Sequence, residues 1–273
     1  MDGSASTMND FLASTLLGVV EGLTEFLPIS STGHLLITEH WLGARSETFN
    51  IFIQLGAVLA VTLLYWRKIV DLVLGIRNPE NLDYSLKLAA AFSLTSLFGL
   101  AVKKAGWRLP DQLTPVLLAV LVGALWIFLA ERRLRSLITT SQIGWMTACA
   151  VGIAQVLAGV FPGLSRSGAT ILTALLFGVN RPAATEFAFL LGIPTMFAAS
   201  LFSLVQETRF FHNLPSDSWS TLLVGFVVSG ITGFASVRWL LRYVQSHTFI
   251  PFAWYRIGLA AVLIGLLALP WRS

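Results

Sequence analysis

Uncharged apolar stretches alternate with short polar segments along most of the chain. The following stretches carry no charged residue: Phe49–Trp66, Leu88–Val102, Leu113–Ala130, Trp145–Leu164 and Trp219–Val237. Their lengths are close to the ~17–25 residues with which a helix crosses a bilayer. The pattern therefore predicts an all-α polytopic membrane protein. No polar segment is long enough to be a soluble domain, so we expect one integral-membrane domain over residues 1–273.

Two groups of polar residues interrupt the apolar sequence at what should be membrane depth. The first reads Glu-Gly-Leu-Thr-Glu-Phe-Leu-Pro-Ile-Ser-Ser-Thr-Gly-His over residues 21–34, and the second reads Pro-Gly-Leu-Ser-Arg-Ser-Gly-Ala-Thr over residues 162–170. A charged side chain at the bilayer centre costs at least ~2.5–3.5 kcal/mol. We therefore interpret both groups as functional and not as solvated loops.

The two polar groups resemble each other, which indicates an internal duplication. Each follows a Gly-x-x-(Glu/Gln) sequence, Gly18 to Glu21 and Gly152 to Gln155, and each has a Pro before a hydroxyl-rich turn that ends in Gly. Three apolar spans follow each group, at about 48–66, 86–103 and 113–131, and then at about 183–206, 219–241 and 250–270. We predict two repeats, about 8–135 and 140–273, each with a re-entrant helix pair and three transmembrane helices.

An odd number of spans in each repeat inverts the second repeat relative to the first. Broken helices in inverted repeats place a binding site near the membrane midplane. If the first helix pair enters from outside, the inner loops hold more Lys and Arg residues than the outer loops, although Lys103, Lys104 and Arg108 lie in an outer loop. The positive-inside rule then puts both termini outside.

The composition agrees with a membrane protein and excludes two other classes. The chain is 55% hydrophobic and 12% charged, with a formal net charge of +4. Its cations are scattered among short loops and form no basic stripe, so we expect no nucleic-acid partner. Cys149 is the only cysteine of the sequence, which excludes an intrachain disulfide and a thiolate metal site.

The polar residues suggest a site for a phosphorylated ligand. Glu21 and Glu25 share one face of a helix and favour a shared proton or a cation between them. After each Pro, hydroxyl-rich residues open a new helix, and a helix N-terminus is an anion site. The residues expected to contact phosphate are Ser30, Thr32, Gly33, Ser165, Ser167, Gly168 and Thr170.

Charge and chemistry extend this interpretation to phosphoryl transfer. Glu21, Glu25 and Arg166 leave a net negative charge, so a bound phosphate or diphosphate calls for a divalent cation, Mg²⁺ or Ca²⁺, on the two glutamates. Ser31 or a water is the candidate nucleophile, and His34 is the candidate proton carrier. Arg166 would bind phosphate oxygens bidentately.

Some of these residues have structural alternatives. Ser165, Ser167 and Thr170 could cap helices and not contact phosphate. Glu186 and Arg256 are expected to be members of interfacial or structural ion pairs.

The two polar groups identify a resemblance to the undecaprenyl-diphosphate phosphatase family of bacterial membrane proteins, also called bacitracin-resistance proteins. Gln54-Leu55-Gly56, Glu186-Phe187-x-Phe189-Leu190-Leu191 and Pro251-Phe252-x-x-Tyr255-Arg256 agree with it, so it covers nearly the whole chain.

The resemblance implies hydrolysis of undecaprenyl diphosphate to undecaprenyl phosphate and inorganic phosphate. This recycles the lipid carrier for peptidoglycan synthesis and confers bacitracin resistance. Its acidic motif falls on Glu21 and Glu25, its Ser-x-Gly-His turn on Ser31 and His34, and its phosphate-binding arginine on Arg166.

The resemblance further implies dependence on a divalent cation and interlocked inverted repeats with re-entrant helices. We expect a bacterial cytoplasmic (inner) membrane protein whose active site opens to the periplasmic side and takes a polyprenyl diphosphate lipid. The alternative is a transporter or flippase for a phosphorylated lipid or anion. The sequence leaves the oligomeric state open and allows a homodimer.

Overall fold

The computed structural model describes residues 3–106, 113–206 and 219–267. Within these ranges the chain forms helices and no β-strand, which confirms the all-α prediction. The helices are α1 (Gly3–Thr24), α2 (Ser31–Leu42), α3 (Glu47–Leu64), α4 (Trp66–Leu74), α5 (Pro79–Lys104), α6 (Leu113–Leu134), α7 (Trp145–Val160), α8 (Arg166–Leu176), α9 (Arg181–Gln206), α10 (Trp219–Tyr243) and α11 (Ile250–Leu267).

Six of these helices are long and apolar enough to cross a membrane, namely α3, α5, α6, α9, α10 and α11. They coincide with the predicted spans, except that α5 begins well before residue 86. Pro79 opens the helix, and the Asn78 side chain caps it by accepting the Glu80 N–H at 3.0 Å. Residues 268–270, at the predicted end of the last span, lie outside the described residues. The chain is a multi-pass membrane protein.

The short helix α4 is not predicted by the apolar pattern. Its charged residues Arg67, Lys68 and Asp71 interrupt an apolar sequence at helical spacing, so a search for uncharged stretches passes over it. Lys68 Nζ lies 3.4 Å from Glu186 Oε1 at the start of α9. This contact confirms the ion pair predicted for Glu186.

Two helical hairpins take the place of membrane-spanning helices at the polar groups. α1 packs on α2 and α7 packs on α8. We call the connecting segments the first elbow (residues 25–30) and the second elbow (residues 161–165). Three candidate spans, α3, α5 and α6, separate the hairpins, and this odd number agrees with the inverted arrangement predicted from the sequence.

The halves interlock, because the first helix of each hairpin packs on the middle span of the other half. A Cβ added at Gly18 on α1 would lie 2.6 Å from the Gly225 carbonyl oxygen on α10, and one added at Gly152 on α7 would lie 2.7 Å from the Ala91 carbonyl oxygen on α5. Both crossings therefore require glycine on the re-entrant helix. These paired contacts support the duplication, while the repeat boundaries stay a prediction.

Candidate active site

Each elbow ends in a serine with an unusual backbone conformation. Ser30 has φ 75° and Ser165 has φ 71°, and they are the only non-glycine residues with positive φ in the described part of the chain. The Ser30 Oγ accepts the Gly33 N–H at 3.2 Å, and the Ser165 Oγ accepts the Gly168 N–H at 3.1 Å. A non-glycine residue in this region carries about 1–3 kcal/mol of strain. The same strained N-cap therefore opens α2 and α8.

The first elbow is in direct contact with the start of α8 and with the second elbow, where the Ser165 hydroxyl donates to the Leu27 carbonyl at 3.4 Å. The Ser167 hydroxyl donates to the Leu27 carbonyl at 3.0 Å, and the Arg166 Nη2 donates to Glu25 Oε1 at 3.0 Å. Space for the arginine comes from Gly192 on α9, where an added Cβ would collide with Arg166 Nη1. The predicted convergence of Arg166 with the glutamate pair is thus confirmed for Glu25.

Glu25 joins the candidate nucleophile to the candidate phosphate-binding residue. Glu25 is 7% exposed, and its two carboxylate oxygens accept from Ser31 Oγ at 2.5 Å and from Arg166. Charge-assisted hydrogen bonds of this kind are short and strong. Because the Glu25 carboxylate accepts the hydrogen bond of the Ser31 hydroxyl, it is positioned to take the hydroxyl proton, as a serine nucleophile requires.

A cavity of about 290 Å³ opens beside this group. The elbows and helix starts contribute polar residues, and α3, α5, α7 and α9 form the facing wall. The lining residues are Glu25, Ser31, Thr32, Gln54, Thr95, Gln155, Ala158, Gly159, Gly163, Ser165, Arg166, Thr195, Met196 and Ala199.

The facing wall supplies polar groups that the sequence analysis did not assign to the site. Gln155 Nε2 lies 3.3 Å from Thr95 Oγ1, and the Thr95 hydroxyl donates to the Gly152 carbonyl at 3.0 Å. The buried Gln155 Oε1 has no hydrogen-bond partner. The signal that could have found Gln155 is its position in the second repeat, where it corresponds to Glu21.

Glu21 lies one helical turn before Glu25 and is 2% exposed. Its Oε2 is buried without a hydrogen-bond partner. No group of three or more His, Cys, Asp and Glu side chains is placed to hold a metal ion in the parts of the chain that the structure describes. The residues fit a cation in one way, with carboxylate oxygens from Glu21 and Glu25 and further ligands from substrate phosphates, as Mg²⁺ prefers.

His34 faces a different partner from Ser31. Its Nδ1 lies 2.6 Å from the Ser30 carbonyl oxygen, and its Nε2 lies 2.7 Å from the Tyr255 hydroxyl oxygen on α11. The Ser31 hydroxyl instead donates to Glu25 Oε2. Tyr255 is therefore a site neighbour that the sequence analysis did not assign, although the residue stands in a segment that carried the resemblance.

Several predicted phosphate contacts have other roles in this structure. Ser167 and Thr170 are each 1% exposed, and the Thr170 hydroxyl donates to the Arg166 carbonyl at 2.9 Å. Ser30 is likewise buried, and at Gly33 and Gly168 an added Cβ would lie 3.3–3.4 Å from the cap hydroxyl. These residues hold the elbows in shape, while Thr32 and Ser165 line the cavity.

The ion pair predicted for Arg256 is wrong. The residue is fully buried, and its guanidinium donates to five backbone carbonyls, leaving no N–H for a carboxylate. The acceptors are the carbonyl oxygens of Ala119, Val120, Pro28, Gly163 and Leu164, at 2.8–3.3 Å. Arg256 therefore ties both elbows to α6, and it adds a positive charge that the charge count from the sequence had not included.

The family described as bacitracin resistance protein BacA matches residues 14–262. The chain belongs to the BacA family. Its relatives include proteins named undecaprenyl-diphosphatase from Methylacidiphilum infernorum and Rhizobium etli. The first is 58% identical, with 97% of this chain and 100% of the relative covered, and the second is 54% identical, with 95% and 98% covered.

A more distant BacA relative carries the same name. The undecaprenyl-diphosphatase of Xylella fastidiosa is 49% identical, with 94% of this chain and 98% of the relative covered. The polar groups, the elbows and the cavity all lie within the matched residues. The family resemblance drawn from the two polar groups is confirmed.

Proposed function

We propose that this chain hydrolyses undecaprenyl diphosphate to undecaprenyl phosphate and inorganic phosphate. The observation that carries the proposal is the Glu25 carboxylate, which accepts from Ser31 and Arg166 at the edge of one cavity. The base Glu25, the nucleophile Ser31 and the anion-binding guanidinium of Arg166 therefore lie together where the two elbows converge. Relatives at 49–58% identity named undecaprenyl-diphosphatase support the substrate.

The substrate head would occupy the cavity, with its isoprenoid tail in the bilayer. Arg166 and the N-termini of α2 and α8 bind the phosphate oxygens, because unpaired N–H groups and the helix dipole favour an anion there. Apolar Ala158, Met196 and Ala199 complete the lining. Arg166 also stabilises the charge that develops on the transferred phosphoryl group.

We expect the reaction to proceed in two steps. Ser31 Oγ attacks the terminal phosphorus and its proton passes to Glu25, while the bond to the bridging oxygen breaks and undecaprenyl phosphate leaves. Water then attacks the phosphoserine and releases one proton to the surroundings, while Glu25 returns its proton to Ser31 Oγ as the Ser31–phosphorus bond breaks, and inorganic phosphate departs. His34 carries a proton between this site and its surroundings.

A divalent cation, Mg²⁺ or Ca²⁺, would be held by Glu21 and Glu25 together with the phosphate oxygens. It would supply Lewis-acid polarisation of those oxygens. Its support in the structure is the partnerless buried oxygen of Glu21 beside the cavity-lining Glu25.

We further propose that the protein lies in the bacterial cytoplasmic membrane with the cavity open to the periplasm. The distribution of Lys and Arg among the loops supports this orientation. In this orientation, the cavity-lining residues Thr195, Met196 and Ala199 belong to the outer half of α9. The product would then be recycled into peptidoglycan synthesis.

Phosphate release by purified protein in detergent tests the proposal, because a transporter needs a membrane and an enzyme does not. The wild-type chain should release phosphate from a polyprenyl diphosphate, and Ser31→Ala should abolish the release. Rapid quenching with substrate labelled at the terminal phosphate should trap label on the wild-type chain and not on Ser31→Ala. Full activity of Ser31→Ala would overturn serine as the nucleophile. No release by the wild-type chain would overturn the hydrolase itself.

A further inference from the structure

Both ring nitrogens of His34 have partners, and one partner fixes the tautomer. The Ser30 carbonyl oxygen 2.6 Å from Nδ1 can only accept, so Nδ1 carries the proton. In the neutral ring, Nε2 is then the basic nitrogen and accepts from the Tyr255 hydroxyl, 2.7 Å away. The basic edge of the imidazole is therefore directed at a single phenol.

Arg256, the next residue along α11, fixes the position of Tyr255. Arg256 donates to the Pro28 carbonyl of the first elbow and the Leu164 carbonyl of the second elbow, which fixes α11 against both. The Tyr255 and His34 rings are nearly parallel, at 11°, with centroids 5.5 Å apart. Tyr255 is 49% exposed and is not among the residues lining the cavity. Its hydrogen bond and its stacking contact are with the His34 imidazole.

We propose that Tyr255 is a positioning residue for His34. A phenol both donates and accepts, so it can serve Nε2 in either protonation state. It donates to the neutral ring, and it accepts the Nε2–H of the imidazolium. His34 thus keeps its orientation and a hydrogen-bond partner throughout a proton-transfer cycle, where an unpartnered ring would be penalised. The inference rests on the proposed proton-carrying function of His34.

A double-mutant cycle tests the inference. Tyr255→Phe removes the hydroxyl and keeps the stacked ring, and we expect kcat to fall roughly two- to tenfold, the effect of one hydrogen bond, with KM unchanged. In a His34→Gln background the same substitution should cause no further fall, because residues that act through one another are not additive. Tyr243→Phe is the matched control, since the Tyr243 hydroxyl on α10 donates to the Thr248 carbonyl in the loop before α11, and this variant should keep wild-type kcat.

Nitrogen NMR of ¹⁵N-histidine-labelled protein gives a readout that a general structural defect would not move in the same way. His34→Gln identifies the His34 resonances. Tyr255→Phe should shift the Nε2 resonance and leave Nδ1 protonated.

An equal loss of kcat in both backgrounds, or an unchanged Nε2 resonance, would overturn the inference. Full activity of Tyr255→Phe beside an impaired His34→Gln would overturn it and leave the proposed function standing. Full activity of His34→Gln would remove His34 from the proposed mechanism as well.

Discussion

Arg166 donates to Glu25 across 141 positions of sequence, at 3.0 Å. Arg166 is the first residue of α8, and Ser31, which donates to the other oxygen of the same carboxylate, is the first residue of α2. Equivalent positions of the two hairpins thus contribute a guanidinium and a hydroxyl to one carboxylate. The chemistry proposed for this chain follows from that difference between two otherwise similar elbows.

Glu25→Gln should lower kcat by about 10²-fold or more, because an amide cannot take the Ser31 proton. The amide oxygen can still accept from Arg166, so the elbows should remain in contact. Phosphate release at saturating substrate measures the effect. Glu39→Gln is the control: Glu39 also lies in the first hairpin, where its Oε1 accepts from Asn50 at 3.1 Å, and this variant should be nearly wild type. Equal activities of the two variants would contradict the assignment of Glu25.

Arg166→Lys should reduce kcat/KM by roughly tenfold to a hundredfold. Lysine keeps the charge but lacks the planar fork that holds phosphate oxygens bidentately. Steady-state kinetics measure the change, with Arg45→Lys as the control, since Arg45 pairs with Asp10 and does not line the cavity. An Arg166→Lys enzyme with wild-type kcat/KM would mean that charge alone suffices.

Gly192→Ala should lower activity although Gly192 bears no functional group. The added Cβ would collide with Arg166 Nη1 and move the guanidinium away from Glu25. We expect at least about a tenfold loss of kcat/KM, since small displacements of a catalytic group are costly. Gly99→Ala on α5 has open space for its Cβ and should keep full activity. Similar kinetics for the two variants would show that the space at Gly192 is not needed.

Glu21→Gln should raise the Mg²⁺ or Ca²⁺ concentration needed for half-maximal activity. The substitution removes a charged ligand from a pair of carboxylates, and hard cations depend on such charge. Chelation should abolish wild-type activity, and added cation should restore it. An unchanged cation dependence in Glu21→Gln would exclude this residue as a ligand.

Arg256→Lys should destabilise the protein by about 2 kcal/mol or more. An ammonium group has three N–H donors and can serve at most three of the five carbonyls, so at least two hydrogen bonds to a charged group are lost, each worth about 1.5–3 kcal/mol. Thermal unfolding in detergent measures the loss. Arg238→Lys, at an exposed position on α10, should stay within about 0.5 kcal/mol of wild type. Equal melting temperatures would contradict the structural role of Arg256.

Much of the fold could be predicted because membrane spans follow from length and polarity alone. The six spans and both hairpins were readable from uncharged stretches and from the two polar interruptions. Helix α4 was missed because its Arg67, Lys68 and Asp71 break the apolar run. The start of α5 was also not predicted. The helix begins at Pro79 after the Asn78 cap, and its first turns contain polar residues that a hydropathy search does not assign to a span.

The site was predictable where a residue is costly in a membrane, as for Glu25 and Arg166. Partners that are ordinary in apolar helices gave no such signal: Thr95 and Thr195 line the cavity, and Tyr255 lies on His34. Arg256 did stand out as a charge, but its five carbonyl acceptors are backbone atoms that no sequence pattern names. The role of Arg256 depends on the tertiary arrangement of the two elbows.

The proposed mechanism requires that one diphosphate head binds where both elbows meet. A structure of the protein with a non-hydrolysable methylene diphosphonate analogue of the lipid tests this most directly. We expect the terminal phosphonate in the cavity, with Arg166 within hydrogen-bond distance and Ser31 Oγ in line with the bond to the bridging carbon. A headgroup bound elsewhere, with Ser31 and Arg166 still engaged only with Glu25, would contradict it.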